Sequence, residues 1–221
     1  MIVEKEIYAY LWQNLFENNC NSYVLGDDKA TLIDVGHQRH VGHLLRGMEA
    51  DGVALGSIDL IIITHCHPDH HEAISSFMDG RVRATYHREE ENYLREEGGM
   101  LYQMMGIPVP SIPVDFYLRE GTLQVHKRLF HVIHTPGHSK GAICIYWPER
   151  KVLVTGDLVF FQGVGRTDFP GGDGKLLIES IEKVRKLDVE ILLPGHGDLI
   201  LGKQQIRENF EFIEANYYPL L

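Results

Sequence analysis

Residues 61–70, IIITHCHPDH, change abruptly from an apolar run to a segment with three histidines and an aspartate. β-Branched apolar residues bounded by a proline are typical of a buried strand, so His65 and His67 are expected just beyond its carboxyl end. Open α/β sheets usually place their chemistry at that edge. Imidazole nitrogens and carboxylate oxygens this close in the chain can converge on a divalent metal ion.

Matching ligand types recur downstream, each beside a glycine. His138 follows Thr-Pro-Gly, Asp157 follows Val-Thr-Gly and His196 follows Leu-Pro-Gly. Each polar side chain closes a short apolar run, which predicts a tight turn at a strand end. The recurrence disfavours the alternative that residues 64–70 are a solvated polar loop.

These residues, with Asp34 at the end of the apolar run 30–33, resemble the metallo-β-lactamase superfamily over nearly the whole chain. The resemblance implies an α+β fold, a four-layer αββα sandwich of two mixed β-sheets with helices outside. It also implies two divalent metal ions, of which zinc is favoured and iron or manganese are alternatives. The implied ligands are His65, His67 and His138 for one ion, Asp69, His70 and His196 for the other, and Asp157 for both.

Further roles follow from the same resemblance. Asp69 and Asp157 would be the catalytic carboxylates. Asp34 would orient a ligating histidine or water from behind, and His134 would either support a ligand or merely pack. Six other histidines lack ligand-like spacing and are expected to be solvated: His37, His40, His43, His87, His126 and His131.

Length predicts one domain or at most two, and the resemblance implies a single metallo-β-lactamase-like domain over residues 1–221. Hydrophobic residues make up 44% and charged residues 24%, which is ordinary for a globular protein. The net charge of −10 opposes binding to a phosphate backbone, so nucleic acid is not an expected partner. A small-molecule substrate is expected, and a homodimer is left open.

The predicted location is the cytoplasm. The amino terminus has no basic segment followed by an apolar core, and no apolar run is long enough to span a membrane. Cys20, Cys66 and Cys144 form no C-x-x-C pair, which fits a reducing compartment. Cys66 should face away from its ligand neighbours and serve the structure.

Local patterns predict the elements around these residues. Helices are expected over residues 41–48, 71–78, 88–97, 174–187 and 203–216, and strands over 21–25, 30–34, 58–63, 81–86, 123–126, 129–133, 142–147, 151–155 and 189–193. The acidic helix 88–97 should end at Gly98-Gly99 and expose its charges. Residues 163–173 are too rich in glycine to form an element.

Residues 100–118 mix methionines and tyrosines with three prolines, which predicts a long ordered loop rather than a helix. This loop is expected to wall the substrate pocket, with a satellite core beneath it as the alternative. The candidate pocket residues are Tyr102, Met104 and, from a separate glycine-rich segment, Arg166.

Three functions compete within the superfamily. A glyoxalase II-like hydrolase, which cleaves a small thioester with a metal-bound hydroxide, is favoured by the complete ligand set and by residues 134–139, 165–170 and 193–197. A persulfide dioxygenase with one iron on His65, His138 and Asp157 is the alternative. A β-lactamase ranks lower because its site often replaces Asp157 with cysteine or serine. A lactonase or other ester hydrolase, or a non-catalytic metal-binding module, ranks lower too.

Overall fold

The computed structural model describes residues 1–14 and 16–221. They form two compact units, which are treated separately below. Unit 1 comprises Met1–Tyr86 and Leu94–Tyr117, and unit 2 comprises His87–Tyr93 and Leu118–Leu221. No helix in these ranges has both the length and the apolar character needed to cross a membrane. The single-domain assignment over residues 1–221 stays a prediction.

Unit 1 is built on a six-stranded mixed sheet whose strands follow chain order. The strands are β1 (Ile2–Glu4), β2 (Ile7–Tyr10), β3 (Ser22–Leu25), β4 (Ala30–Ile33), β5 (Ile58–Ile62) and β6 (Arg83–Thr85). Strands β1 to β4 pair antiparallel, whereas β4, β5 and β6 run parallel. The predicted hairpin is confirmed as β3 and β4, and β1 and β2 were not predicted.

The helices of unit 1 pack on the same sheet. α1 (Val41–Ala50) buries Leu44 and Met48, one helical turn apart, in a core shared with Ile61 and Ile63. The short α2 (Pro68–His71) begins with proline at its first position, where the missing N–H costs nothing. A 3₁₀ segment, Glu72–Phe77, replaces the helix predicted over residues 71–78.

Residues 88–104 correct two expectations. α3 (Arg88–Tyr93) is followed by a π-helical turn, Leu94–Gly98, and by α4 (Gly99–Met104). Gly98 has helical backbone angles (φ −64°, ψ −31°), so the glycine pair allows the helix to continue instead of ending it. The predicted loop therefore begins after Met104. Its second half covers the core of unit 1, on which Ile112, Val114 and Tyr117 pack.

Unit 2 contains a second mixed six-stranded sheet, in the order β14-β13-β10-β9-β8-β7. Its strands are β7 (Gly121–Val125), β8 (Arg128–His134), β9 (Ile143–Trp147), β10 (Val152–Gly156), β13 (Ile191–Pro194) and β14 (Ile200–Leu201). Among the strand pairs that the structure describes in this sheet, only β10 and β13 are parallel. A small separate hairpin joins β11 (Val159–Phe160) to β12 (Gly163–Val164), where no element was predicted.

Two amphipathic helices cover this sheet. α5 (Gly174–Val184) buries Leu177, Ile181 and Val184, and the carboxylate of Asp173 caps it by accepting from the Leu176 amide. α6 (Lys203–Asn216) has the predicted bounds and buries Ile206, Phe210 and Ile213 at the same spacing. Two mixed sheets, each with its helices, confirm the predicted α+β class.

Candidate metal-binding residues

The first group of candidate ligands lies where two parallel strands of unit 1 end. β4 and β5 pair in register up to Ile33 and Ile62, and the Asp34 amide donates to the Ile62 carbonyl (3.1 Å). Parallel strands in register end at the same edge of the sheet, so Asp34 emerges beside the segment that follows β5. This register explains why an aspartate 30 residues earlier in the chain meets the histidine-rich segment, with Thr64 as its contact.

Four side chains of that segment form what we call cluster 1: His65, His67, Asp69 and His70. The ring centroid of His65 lies 4.6 Å from that of His67 and 4.1 Å from that of His70. His70 Nε2 lies 4.0 Å from Asp69 Oδ2, and all four side chains are buried. Four potential metal-ligand side chains are thus gathered away from solvent.

Asp34 holds this cluster from behind. Its Oδ2 accepts from His70 Nδ1 (2.8 Å) and from Thr64 Oγ1 (2.7 Å), and its Oδ1 accepts from the Thr64 amide (2.7 Å). A proton fixed on Nδ1 leaves Nε2 of His70 with a lone pair for a metal. Asp34 has φ +55°, a backbone conformation that aspartate tolerates better than most residues. It makes the contact that its predicted role requires.

Asp69 is held from unit 1 as well. Its Oδ2 accepts from Asn18 Nδ2 (2.7 Å), and its carbonyl accepts from the Cys20 amide (3.2 Å). α2 begins at Pro68, so Asp69 and His70 lie inside its first turn and not before it, as the predicted helix start at residue 71 implied.

Tyr102 does not have the predicted place in an open pocket wall. Its side chain is 1% exposed, and its hydroxyl donates to the Cys66 carbonyl (3.2 Å) and contacts His71 Nδ1 (2.9 Å). A buried tyrosine hydroxyl usually finds a hydrogen-bond partner. The sequence pattern did not show that Tyr102 is buried or which residues its hydroxyl contacts. Tyr102 thus supports the backbone between His65 and His67. Met104 is 81% exposed, and its pocket role stays a prediction.

The second group lies at strand ends of unit 2. Asp157 and His196 follow the parallel neighbours β10 and β13, whose last paired residues are Gly156 and Pro194. The Gly195 amide donates to the Gly156 carbonyl (2.8 Å), which continues the pairing into the turns. His138 lies in the connection from β8 to β9.

These three residues form what we call cluster 2, with Asp157 at its centre. Asp157 Oδ2 lies 3.4 Å from His138 Nε2 and 3.3 Å from His196 Nε2. One carboxylate oxygen therefore faces two imidazole nitrogens, a spacing at which these side chains can share in metal coordination. His196 is the most exposed of the three, with 26% of its side chain accessible.

His138 is oriented by a backbone carbonyl. Its Nδ1 donates to the Arg166 carbonyl (2.7 Å), which leaves Nε2 facing Asp157. The absence of a side chain at Gly165 allows this contact. A Cβ there would lie 1.9 Å from the Asp157 carbonyl oxygen and 3.0 Å from His138 Nδ1. The Arg166 side chain is exposed and paired with Asp168, so its pocket role stays a prediction.

Replacing Gly165 by alanine is expected to lower metal affinity by about 10–100-fold, the usual cost of disturbing an outer contact of a ligand. The added methyl group must push the Asp157 backbone or the His138 ring aside. Titration against a chromogenic chelator measures the change. Gly163→Ala is the matched control, since its Cβ would meet only Phe160 and Tyr217 atoms at 3.6 Å or more. Equal affinities of the two variants would contradict this packing argument.

Cluster 2 also has supports that the sequence analysis missed. The Pro136 carbonyl accepts from Ser180 Oγ of α5 (2.7 Å), and Gly137 lies so close to α5 that a Cβ would be 2.3 Å from the Leu177 amide. Glu90, predicted to be on a solvated face, is 0% exposed and bonds to Ser139 and Gly141. The glycines beside His138 were the only sequence signal of this close packing.

Two histidines predicted to be solvated are buried. His87 is 7% exposed and stacks on His134 with ring centroids 4.2 Å apart. Burial, and to a lesser extent the charge of His134, lowers the pKa of His87 to about 4. His37 is 1% exposed, with Nδ1 2.5 Å from Glu72 Oε2. Both predictions were wrong because distant segments supply the partners.

His134 makes contacts other than those expected of a ligand support. Its Nε2 meets the Lys140 carbonyl (2.9 Å), and its amide donates to Glu120 Oε2 (3.1 Å). These contacts fit the alternative that His134 merely packs.

The donor chemistry fits a divalent metal. Each residue of clusters 1 and 2 belongs to a group of His and Asp side chains able to hold a metal ion. Imidazole nitrogen and carboxylate oxygen suit zinc, iron and manganese. The groups of described residues able to hold a metal ion contain no cysteine. Cys144 is also a poor nucleophile, because burial raises the pKa of its thiol to about 12.

Comparison with known proteins assigns the family. The model of the metallo-β-lactamase superfamily matches residues 15–196. The chain belongs to the metallo-β-lactamase superfamily. A similar protein, hydroxyacylglutathione hydrolase GloC of Haemophilus influenzae, is 32% identical over 201 residues, which cover 88% of this chain and 92% of the relative.

Two solved structures support the fold. The B3 metallo-β-lactamase BLEG-1 aligns with a TM-score of 0.76 at 31% identity and covers 92% of this chain and 97% of its own. The protein TTHA1623, solved in a di-iron-bound form, aligns with a TM-score of 0.70 at 29% identity and covers 91% and 95%. The predicted metallo-β-lactamase fold is confirmed, and the protein is a metal-binding metallo-hydrolase of this superfamily.

Proposed function

We propose that the protein hydrolyses a small thioester, such as a hydroxyacylglutathione, with two bound divalent metal ions. The observation that carries this proposal is the placement of Asp157, whose Oδ2 lies within 3.4 Å of the Nε2 atoms of both His138 and His196. A carboxylate so placed suits a two-ion site. The similarity to hydroxyacylglutathione hydrolase GloC supports the choice of a thioester.

The proposed ligands divide between two ions. His65, His67 and His138 bind the first, Asp69, His70 and His196 bind the second, and Asp157 binds both. Zinc is our first choice of metal, with iron and manganese as alternatives that the same ligands accept. The di-iron form of a similar structure keeps iron in consideration.

The chain's own groups then have distinct tasks. Bound divalent ions would supply a water of lowered pKa and stabilise the oxyanion that forms on the thioester carbonyl. Asp34 and the Arg166 carbonyl hold the Nδ1 protons of His70 and His138, so that both Nε2 atoms keep their lone pairs. We place the exposed side chains of Met104 and Arg166 on the substrate side.

A comparison of three activities at defined metal loading tests the proposal. Metal-free protein would be loaded with zinc, iron or manganese at 1:1 and 2:1, then assayed for S-lactoylglutathione cleavage, for oxygen uptake with glutathione persulfide, and for hydrolysis of a β-lactam. We expect thioester cleavage to dominate and to require the second equivalent, because Asp69, His70 and His196 would serve only that ion.

Other outcomes would point elsewhere. Oxygen uptake with one iron per chain and no thioester cleavage would replace our proposal with persulfide oxidation, which needs only His65, His138 and Asp157. β-Lactam turnover exceeding thioester turnover would overturn the substrate class while keeping the two-ion site.

A further inference from the structure

Glu90 is a buried carboxylate between two glutamates that are exposed or partly exposed. Its side chain is 0% exposed, whereas Glu89 is exposed and Glu91 is partly exposed. Carboxylates are almost never fully buried unless they are paired or hydrogen-bonded, so the partners of Glu90 stabilise it in this buried position. Glu90 belongs to unit 2, the unit that carries cluster 2.

Two hydrogen bonds of the Glu90 carboxylate reach the loop that carries His138. Glu90 Oε1 accepts from Ser139 Oγ (2.7 Å) and from the Gly141 amide (2.7 Å). Ser139 is also 0% exposed. Only glycine allows this approach at position 141, since a Cβ there would lie 2.6 Å from the Glu90 amide nitrogen and 2.9 Å from its Oε1.

The two halves of this loop are held by different elements. On the amino-terminal side, the Pro136 carbonyl accepts from Ser180, and the Gly137 carbonyl accepts from the Asp173 amide (2.8 Å). On the carboxyl-terminal side, the Glu90 carboxylate holds Ser139 and Gly141. His138 lies between these anchors, so either anchor can shift its imidazole.

We propose that Glu90 is a positioning residue that fixes His138 for metal binding. Hydrogen bonds to a carboxylate are roughly twice as strong as neutral ones, and two of them to one oxygen restrain the loop backbone directly after the ligand. The inference rests on the proposed function only in taking His138 as a metal ligand. It requires neither a thioester substrate nor hydrolysis.

Alanine and glutamine variants, with two readouts, test the role. In metal-free protein, Glu90→Ala should exchange the Gly141 amide hydrogen roughly tenfold faster or more, because the amide loses its acceptor. Its affinity for one ion, the one that His138 would bind, should fall about 10–100-fold in a chelator competition, while the other ion changes less. Glu90→Gln keeps an acceptor but loses the charge, so smaller changes of about three- to tenfold are expected in both readouts.

Two controls separate positioning from charge loss and from general destabilisation. Glu89→Gln removes an exposed charge from the same helix and should leave both readouts unchanged. Ile181→Val weakens the core of unit 2 and should lower the melting temperature without selective loss of one ion.

Each result decides the inference. Normal metal affinity in Glu90→Ala would overturn it, whatever the exchange rate of the Gly141 amide, and so would an equal loss of both ions. If Glu90→Ala does not fold, Glu90→Gln decides, and identity with Glu89→Gln in both readouts would overturn the role. If the wild-type protein does not cleave a thioester, the proposed function is wrong but this inference stands, because neither readout uses a substrate.

Discussion

We expect Asp157→Ala to lose more than one equivalent of tightly bound metal per chain. We also expect kcat/KM for thioester cleavage to fall by about 10³-fold or more. The metal's stabilisation of a developing charge is worth several kcal/mol, and each 1.36 kcal/mol is a factor of ten in rate. Asp157 Oδ2 faces both His138 and His196 (3.4 and 3.3 Å), so its loss removes the central donor of cluster 2. Elemental analysis of protein loaded and then desalted would count the remaining ions.

Asp168→Ala is the matched control for this variant. Asp168 lies in the same unit, its side chain is 65% exposed, and it pairs with Arg166 at the surface. An exposed pair of this kind contributes little, so metal content should stay at the wild-type value. Two ions per chain in Asp157→Ala would show that this carboxylate does not belong to both.

The second large effect is expected at Asp34. Asparagine has the same shape and tolerates the left-handed backbone of this position (φ +55°). However, all three partners of the Asp34 carboxylate are donors: the Thr64 amide, Thr64 Oγ1 and His70 Nδ1. The side-chain amide of an asparagine introduced here would place its own N–H₂ against one of them. We therefore expect Asp34→Asn to lower metal affinity by about 10–100-fold with a modest loss of stability.

Alanine at the same position separates orientation from stability. Asp34→Ala leaves buried donors without an acceptor, and each costs about 1–3 kcal/mol, so the melting temperature should fall well below that of Asp34→Asn. Asp28→Asn, in the exposed turn between β3 and β4, is the control and should match the wild type. Unchanged metal affinity in Asp34→Asn, measured by chelator competition, would contradict a role in orienting His70.

The amino-acid sequence by itself determined that the candidate metal ligands follow the carboxyl ends of particular strands. The apolar run before Thr64 predicted β5, and the glycine turns placed Asp157 and His196 after β10 and β13. These predictions succeeded because burial of alternating or continuous apolar residues depends mainly on local periodicity. α6 was predicted with the bounds Lys203–Asn216 for the same reason.

The tertiary structure alone decided which polar side chains are buried. Glu90 could not be told from Glu89 in the sequence, because its burial depends on Ser139 and Gly141, about 50 residues away. Tyr102 was likewise placed by the Cys66 carbonyl, and His37 by Glu72. A polar group is stable inside a protein only when a partner meets it, and that partner comes from a distant segment. The periodicity of one segment therefore cannot predict which distant residue will be that partner.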